Sequence, residues 1–310
     1  MPTHTLTVEA ASAGARLDLF IGERLSLSRN KLKALFESEA VRVDGRKAKK
    51  GQTVSAGQTI EVTVDERPND AVADATLALT VLYEDESLVF VDKPAGVPSQ
   101  PLKPGETGTV ANALLAQYPE MAGVGADVRE AGLCHRLDVE TSGVLLAART
   151  REAWEAMRAA FSRDDDVEKQ YLALVSGPIG DSGDIELPLA HSGDHVRTAL
   201  TGDEGRPAHS AFRVLSRSGN YSLVEVRIFT GVLHQVRAHL AAIGAPIVGD
   251  TLYGGEPAPE LKRFFLHAAT LTVPHPKTGQ RLTVSSPLPA ELAAMLASRG
   301  LSLTDAARRE

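Results

Sequence analysis

The sequence predicts an α+β protein in two parts, a small basic module near the N-terminus and a larger body built on a mixed, mainly antiparallel sheet. Three observations carry this. Strand-like runs are grouped rather than alternating strictly with helical ones, which disfavours a doubly wound parallel sheet. Charge is unevenly divided: between Ala15 and Gly51 ten basic residues face five acidic ones, a net +5, leaving −12 for the rest of a chain whose net charge is −7. Between the two parts, Asp65 to Leu79 (DERPNDAVADATLAL) is polar, acidic and alanine-rich, the composition of a linker.

The first module is expected over residues 15–64. Arg16 to Leu25 reads as a short helix, with Leu17, Phe20, Ile21 and Leu25 at helical spacing. Ser28 is placed to cap a second helix, Arg29 to Ser38, whose apolar face is Leu32, Leu35 and Phe36. Val41-Arg42-Val43 alternates as a strand, Asp44-Gly45 is a hairpin turn signal, and Thr59 to Val64 alternates again. By composition this is either a small α+β domain with a solvated charged face or an RNA-binding one. Arg16, Arg29, Lys31, Lys33, Arg42, Arg46 and Lys47 are the candidate RNA contacts.

The body is expected over residues 80–289. Its strand-like runs are Leu88 to Asp92, Gly143 to Ala147, Tyr171 to Val175, Tyr221 to Phe229, Leu271 to Val273 and Leu282 to Val284. Helical patterns fall at Thr109 to Tyr118, Arg151 to Phe161 and His234 to Ile243. Residues 290–310 read as a short amphipathic tail. No run reaches the roughly 20 apolar residues of a membrane helix, and the start, MPTHTLTVEA, lacks a secretory pattern. The single cysteine, Cys134, excludes an intrachain disulfide and a multi-cysteine zinc site, and fits a reducing cytoplasm. Phosphate-binding motifs of the G-x-x-x-x-G-K-[ST] and G-x-G-x-x-G types are not found. The expectation is a cytoplasmic monomer.

The most informative run is His135 to Ala147, HRLDVETSGVLLA. A histidine, an arginine, two acids and two hydroxyls stand just before an apolar strand, where a sheet fixes their geometry. Gly143 suits a close backbone approach. On spacing alone the run is either a site or a structural polar turn, and Asp138 with Glu140 also admits a paired-carboxylate hydrolase. His234 and His239, five apart, share no helical face and read as structural; Lys93-Pro94 reads as a turn.

The pattern H-R-L-D-x-x-T-S-G-x-L-L-x-A over these residues resembles the signature of the RluA/RluD family of pseudouridine synthases. Further matching blocks are Leu82 to Gly96, Lys169-Gln-Tyr171 to Gly177, Thr230-Gly231, His234 to Leu240, Ile247 to Asp250 with Tyr253-Gly254, and Leu266-His267-Ala268. The resemblance implies the pseudouridine synthase fold, with Asp138 as the catalytic carboxylate and Arg237 as its partner. It also implies Tyr171 beside the target base and Arg136 in the space left by an extruded base.

The first module resembles the S4-type RNA-binding domain, through Arg16-Leu17-Asp18, Ser28-Arg29 with Lys31, Val41 to Gly45 and Gly57 to Ile60, with Glu39 where that family usually has a glycine. Together these imply isomerisation of uridines to pseudouridine in RNA, with large-subunit (23S-type) ribosomal RNA as the partner. No redox step or outside energy is needed, so no cofactor is implied. Extruding the base costs a few kcal/mol of stacking, and a guanidinium beside the carboxylate favours its charged form. Phe229 and Val232 stand where relatives commonly carry basic residues, which bears on substrate choice more than on reaction type. A relative that binds RNA without catalysis is the alternative.

Overall fold

A computed structural model describes residues 3–25, 27, 29–63, 71–163, 166–192, 195–199 and 204–303; the side chains of residues 29–31 and 34 are not among those described. The chain divides into two compact units, Met1–Asn69 and Asp70–Glu310.

In the first unit, β1 (Thr3–Thr7) precedes the helices α1 (Leu17–Arg24) and α2 (Arg29–Glu37), followed by β2 (Val41–Val43), β3 (Arg46–Lys47) and β4 (Thr59–Thr63). The strands form one sheet in the order β1-β4-β2-β3. Because β1 pairs with β4 in antiparallel register, Thr3 opposite Thr63, the unit reaches back before the expected start at Ala15. Leu17, Phe20, Ile21, Leu32 and Leu35 pack on Val41, Val43, Ile60 and Val62 as its core. The second helix ends through Glu39 in the left-handed conformation, φ 59°, the geometry a glycine there would supply freely. The expected cap at Ser28 lies outside the described residues.

The second unit does not begin with a free linker. Residues 64–70 lie outside the described residues, but Ala71 and Leu79 pack on the main core. Asn112 Nδ2 donates to the Val72 carbonyl at 2.7 Å, and the Asp74 N–H donates to the Asn112 carbonyl at 3.0 Å. The elements then run β5 (Thr80–Glu84), β6 (Leu88–Lys93), α3 (Val110–Gln117), β7 (Ser142–Ala148), α4 (Arg151–Phe161), β8 (Glu168–Ser176), β9 (Ser182–Ile185), β10 (Leu189–Ser192), β11 (His195–Thr198), β12 (Ser210–Ser218), β13 (Tyr221–Ile228), α5 (Gln235–Ala242), β14 (Leu266–Pro274), β15 (Arg281–Ser285) and α6 (Ala290–Ser298).

Among the described residues, nine strands form one mixed sheet in the order β5-β6-β7-β14-β8-β13-β12-β9, with β15 added on β14. Only β7 and β14 pair in parallel. Gly143 makes that pairing possible: a Cβ there would lie 2.1 Å from the Ala268 carbonyl oxygen.

The central strands are apolar throughout because both faces are covered. Leu88, Phe90, Val144 and Leu146 face Ala153 and Met157 of α4. Val89, Val91, Leu145 and Ala147 face Val110, Ala111 and Leu114 of α3. The expected tail is instead part of the core in its first half: Leu292, Met295 and Leu296 of α6 join the same cluster. Among the described residues no helix is long and apolar enough to cross a membrane.

Candidate active site

Asp138 sits on the loop that feeds β7, and its neighbours are fastened in sequence. Ser99 Oγ donates to the Leu137 carbonyl at 2.9 Å, and the Leu137 N–H lies 3.1 Å from the same oxygen. The Val139 carbonyl accepts from Lys93 Nζ at 2.9 Å and from the Gly96 N–H at 2.8 Å. The Thr141 N–H closes on the Asp138 carbonyl at 3.1 Å. Beyond the loop, Ser142 Oγ bonds His267 Nδ1 at 2.9 Å and Arg263 Nη2 at 3.0 Å. The backbone on either side of one carboxylate is thus fixed before any ligand binds.

Lys93 is therefore not a turn residue but a wholly buried ammonium at the end of β6. Burial, with Arg263 adding and Asp138 opposing, brings its pKa down to about 7. His135 is structural too: its Nε2 accepts the Leu146 N–H at 3.1 Å and its ring stacks on Phe161. Burial, with Lys169 and Arg158, pushes its pKa down to about 3.

Arg237, on the buried face of α5, reaches the carboxylate. Its Nη1 lies 3.3 Å from Asp138 Oδ2, with the two side chains 7% and 22% exposed. Its stronger partner is Asp250, unforeseen as a contact: Nε and Nη2 donate to the two Asp250 oxygens at 2.7 and 2.9 Å, and that carboxylate is 1% exposed. The guanidinium carbon also sits 4.3 Å from the Phe264 ring centre and 4.9 Å from that of Tyr253. Burial works against the Arg237 charge, but Asp250 and then Asp138 outweigh it and hold its pKa above the usual value. A bidentate fork fixes the guanidinium plane, which Lys cannot do.

His234 also belongs here. Its Nε2 is 3.8 Å from Asp138 Oδ1. Sequence spacing gave no sign of this, because His234 is in the left-handed conformation (φ 51°) at the start of α5 rather than in the helix. His239 is buried, tying Ser210 Oγ to the Leu187 carbonyl at 2.9 Å each.

Two clefts meet at Asp138, and Arg136, Asp138, His234 and Arg237 line both. One, of about 670 Å³, extends past Gln100, Glu106 and Lys262. The other, of about 570 Å³, holds Tyr171 with the cations Arg158, Lys169 and Arg206. Arg136 is exposed and, among the described residues, makes no side-chain hydrogen bond or ion pair. Burial, reinforced by Asp138, pushes the Tyr171 phenol above its ordinary value, so it is neutral near pH 7. The second cleft pairs one carboxylate with several cations and a buried aromatic ring. That arrangement accepts an anionic backbone and a flat, neutral base.

Of the basic residues singled out in the first unit, Arg16 forks onto Asp18 at 3.1 and 2.8 Å, and Lys33 lies 3.6 Å from Glu37. Arg42 donates to the Gly45 carbonyl, Lys47 pairs with Glu39, and Arg46 is exposed. The side chains of Arg29 and Lys31 lie outside the described residues. Around Thr230, Phe229 stacks on His209 with ring centres 4.3 Å apart, and Val232 packs beside Leu189, Val196 and Ala238.

Residues 87–242 match the family described as RNA pseudouridylate synthase. The chain is 35% identical over 306 residues to the ribosomal large subunit pseudouridine synthase D of Xanthomonas campestris, covering 94% of this chain and 91% of that one. It is 36% identical over 305 residues to the protein of the same name from Nitrosomonas europaea, covering 95% and 87%. Among solved structures it is similar to human RNA pseudouridylate synthase domain containing 1, with a TM-score of 0.55 and 27% identity over 68% of this chain and 84% of that one.

Proposed function

The chain belongs to the RNA pseudouridylate synthase family, and we propose that it acts on uridines of large-subunit ribosomal RNA with Asp138 as the reactive carboxylate. The larger unit has the pseudouridine synthase fold and the family isomerises uridine to pseudouridine in RNA. One observation supports the assignment of Asp138 above the others. Its side chain, 22% exposed, stands where the two clefts meet, with Oδ2 held 3.3 Å from a buried guanidinium. The substrate class rests on the relatives that bear ribosomal large subunit names and match along nearly the whole chain.

The reaction breaks the bond from ribose C1′ to uracil N1, turns the base and joins C1′ to C5; C5 gives up its proton and N1 takes one up, so the product is an isomer. It needs neither oxidant nor energy source. In this reading Arg136, exposed at the mouth of both clefts, fills the gap left by the extruded uridine. Lys169, Arg158 and Arg206 face its phosphates. Tyr171 stacks on the uracil. Being a neutral phenol, it removes a proton only if its own passes on, so stacking is its first role.

The first unit serves as an S4-type RNA-binding domain; the exposed Arg46, Arg42, and Arg16, Lys33 and Lys47, each of these three beside a carboxylate, are its phosphate contacts, together with Arg29 and Lys31. The enzyme works as a monomer in the cytoplasm, without metal or cofactor. The test is Asp138→Asn on unmodified bacterial large-subunit ribosomal RNA. Pseudouridine formation is expected to vanish while RNA affinity and thermal stability persist. Turnover by the Asn variant at the wild-type rate would remove Asp138 from the mechanism.

A further inference from the structure

His234 is held in a conformation that is uncommon for residues other than glycine. A left-handed backbone (φ 51°) costs a non-glycine residue about 1–2 kcal/mol, and no side chain of His234 caps α5 in return. The surroundings enforce it. Gln235 Oε1 accepts from the Val232 N–H at 3.1 Å and from Thr230 Oγ1 at 2.8 Å, while Gln235 Nε2 donates to the His209 carbonyl at 2.8 Å. The result is an imidazole 14% exposed, turned into both clefts. An enforced outlier of this kind points to a role.

Its proton can be placed. Tyr253 Oη accepts the Val196 N–H at 3.0 Å and lies 3.0 Å from His234 Nδ1. A phenol has one proton to give. Among the described residues Nδ1 is the one acceptor bonded to the phenol, so that proton goes to Nδ1, which leaves the imidazole proton on Nε2. Nε2 is the atom 3.8 Å from Asp138 Oδ1. Burial keeps the ring neutral by lowering its pKa; Asp138 works against this and Arg237 with it. A contact of this length in the ligand-free site shortens to a hydrogen bond with a small side-chain rotation.

We propose that His234 is a positioning residue whose Nε2–H holds Oδ1 of Asp138 while Arg237 holds Oδ2, its tautomer set by Tyr253 and the β10–β11 hairpin. This rests on the reading of Asp138 as the reactive carboxylate. The hairpin is coupled to the carboxylate because Val196, the donor to Tyr253, lies on β11. Leu189 and Val196 anchor that hairpin on Ala238 of α5, beside Leu233 and Tyr253. A shift of the hairpin therefore reaches His234 through two hydrogen bonds, and Asp138 through the Nε2–Oδ1 contact.

The experiment uses the full chain and large-subunit ribosomal RNA transcribed with uridine tritiated at C5, so that each turnover releases tritium. Rates are measured in single turnover with enzyme saturating, and RNA affinity separately by filter binding. His234→Ala is expected to slow tritium release about tenfold or more, with Kd within about twofold of wild type. His234→Gln, which restores an N–H of similar reach, recovers most of the rate. Tyr253→Phe slows release to a similar extent, and the His234→Ala/Tyr253→Phe pair is no slower than His234→Ala alone.

A wild-type rate for His234→Ala, a loss seen only in Kd, a Gln variant no better than Ala, or multiplying effects would each overturn the proposal. If His234→Ala does not fold, Tyr253→Phe decides: a wild-type rate refutes the chain of bonds. An inert wild type defeats the functional reading and this inference together. An active wild type with a dead Asp138→Asn and an unaffected His234→Ala defeats this inference alone.

Discussion

Two carboxylates share the Arg237 guanidinium, and the structure gives them different work. Asp250→Asn separates the two. The substitution keeps the side-chain shape and one acceptor, but it turns the other oxygen into an NH2 facing Arg237. One of the bonds at 2.7 and 2.9 Å becomes a clash of donors. Removing one partner of a buried pair costs about 3–5 kcal/mol. With the volume and one bond retained, the lower end applies, about 3 kcal/mol. At about 2–4 °C per kcal/mol for a unit of this size, the melting temperature falls by roughly 6–12 °C. Arg237 is then left with Asp138 at 3.3 Å as its remaining anion, and a misplaced guanidinium slows turnover by about a hundredfold. Asp138→Asn leaves the Asp250 fork intact, so its stability stays within about 1 kcal/mol of wild type. Urea and thermal melts beside single-turnover rates check both. If Asp250→Asn shifts stability by less than about 1 kcal/mol and leaves the rate unchanged, the rings of Phe264 and Tyr253 suffice to hold Arg237, and the buried-pair argument is wrong.

Gly143→Ala is expected to abolish folding or to cost more than about 4 kcal/mol, since its Cβ would lie 2.1 Å from the Ala268 carbonyl oxygen at φ 118°; soluble yield and circular dichroism report it, and a well-folded variant would refute the close approach of β7 and β14. Glu39→Gly is expected to gain about 1 kcal/mol in urea melts by relieving φ 59°, less a few tenths for the exposed Lys47 pair, and a net loss would contradict this. Lys93 has a folded pKa near 7 against about 10.4 unfolded. Between those values the unfolded chain binds more protons, so its contribution to stability rises with pH, by at most about 1.4 kcal/mol per pH unit. The stability difference between wild type and Lys93→Met is therefore expected to move in favour of wild type from pH 7 to 10, and a pH-independent difference would refute the burial argument.

What the sequence made legible was whatever is contiguous. His135 to Ala147 announces a loop entering a buried strand because all its parts are neighbours in the chain, and the periodic segments α3, α4 and α5 read within a residue or two of their observed ends. Asp250 and His234 were harder: their partners are brought in by folding, and nothing in their spacing carries that contact. Lys93 was misread because charged residues are seldom buried, and the Pro94 and Val139 carbonyls that each accept from its ammonium at 2.9 Å cannot be seen in a sequence. β12 escaped because a bulge between Val214 and Ser216 breaks the alternation. Residues 71–79 look like linker by composition yet pack, because Asn112 bonds the Val72 carbonyl and accepts from the Asp74 amide.

Phe229 and Val232 are both taken up in local packing near the site. Phe229 stacks on the His209 ring at 4.3 Å and carries the Arg227 guanidinium 4.8 Å from its centre, so its ring is engaged in local stacking. Val232 is drawn into the apolar cluster under the β10–β11 hairpin, where an ammonium or guanidinium would meet Leu189 and Val196 rather than water. Neither residue contacts Arg237, whose orientation is fixed by Asp250, Phe264 and Tyr253. The guanidinium that faces Asp138 is thus held by Asp250 and by two rings, not by the residues at 229 and 232.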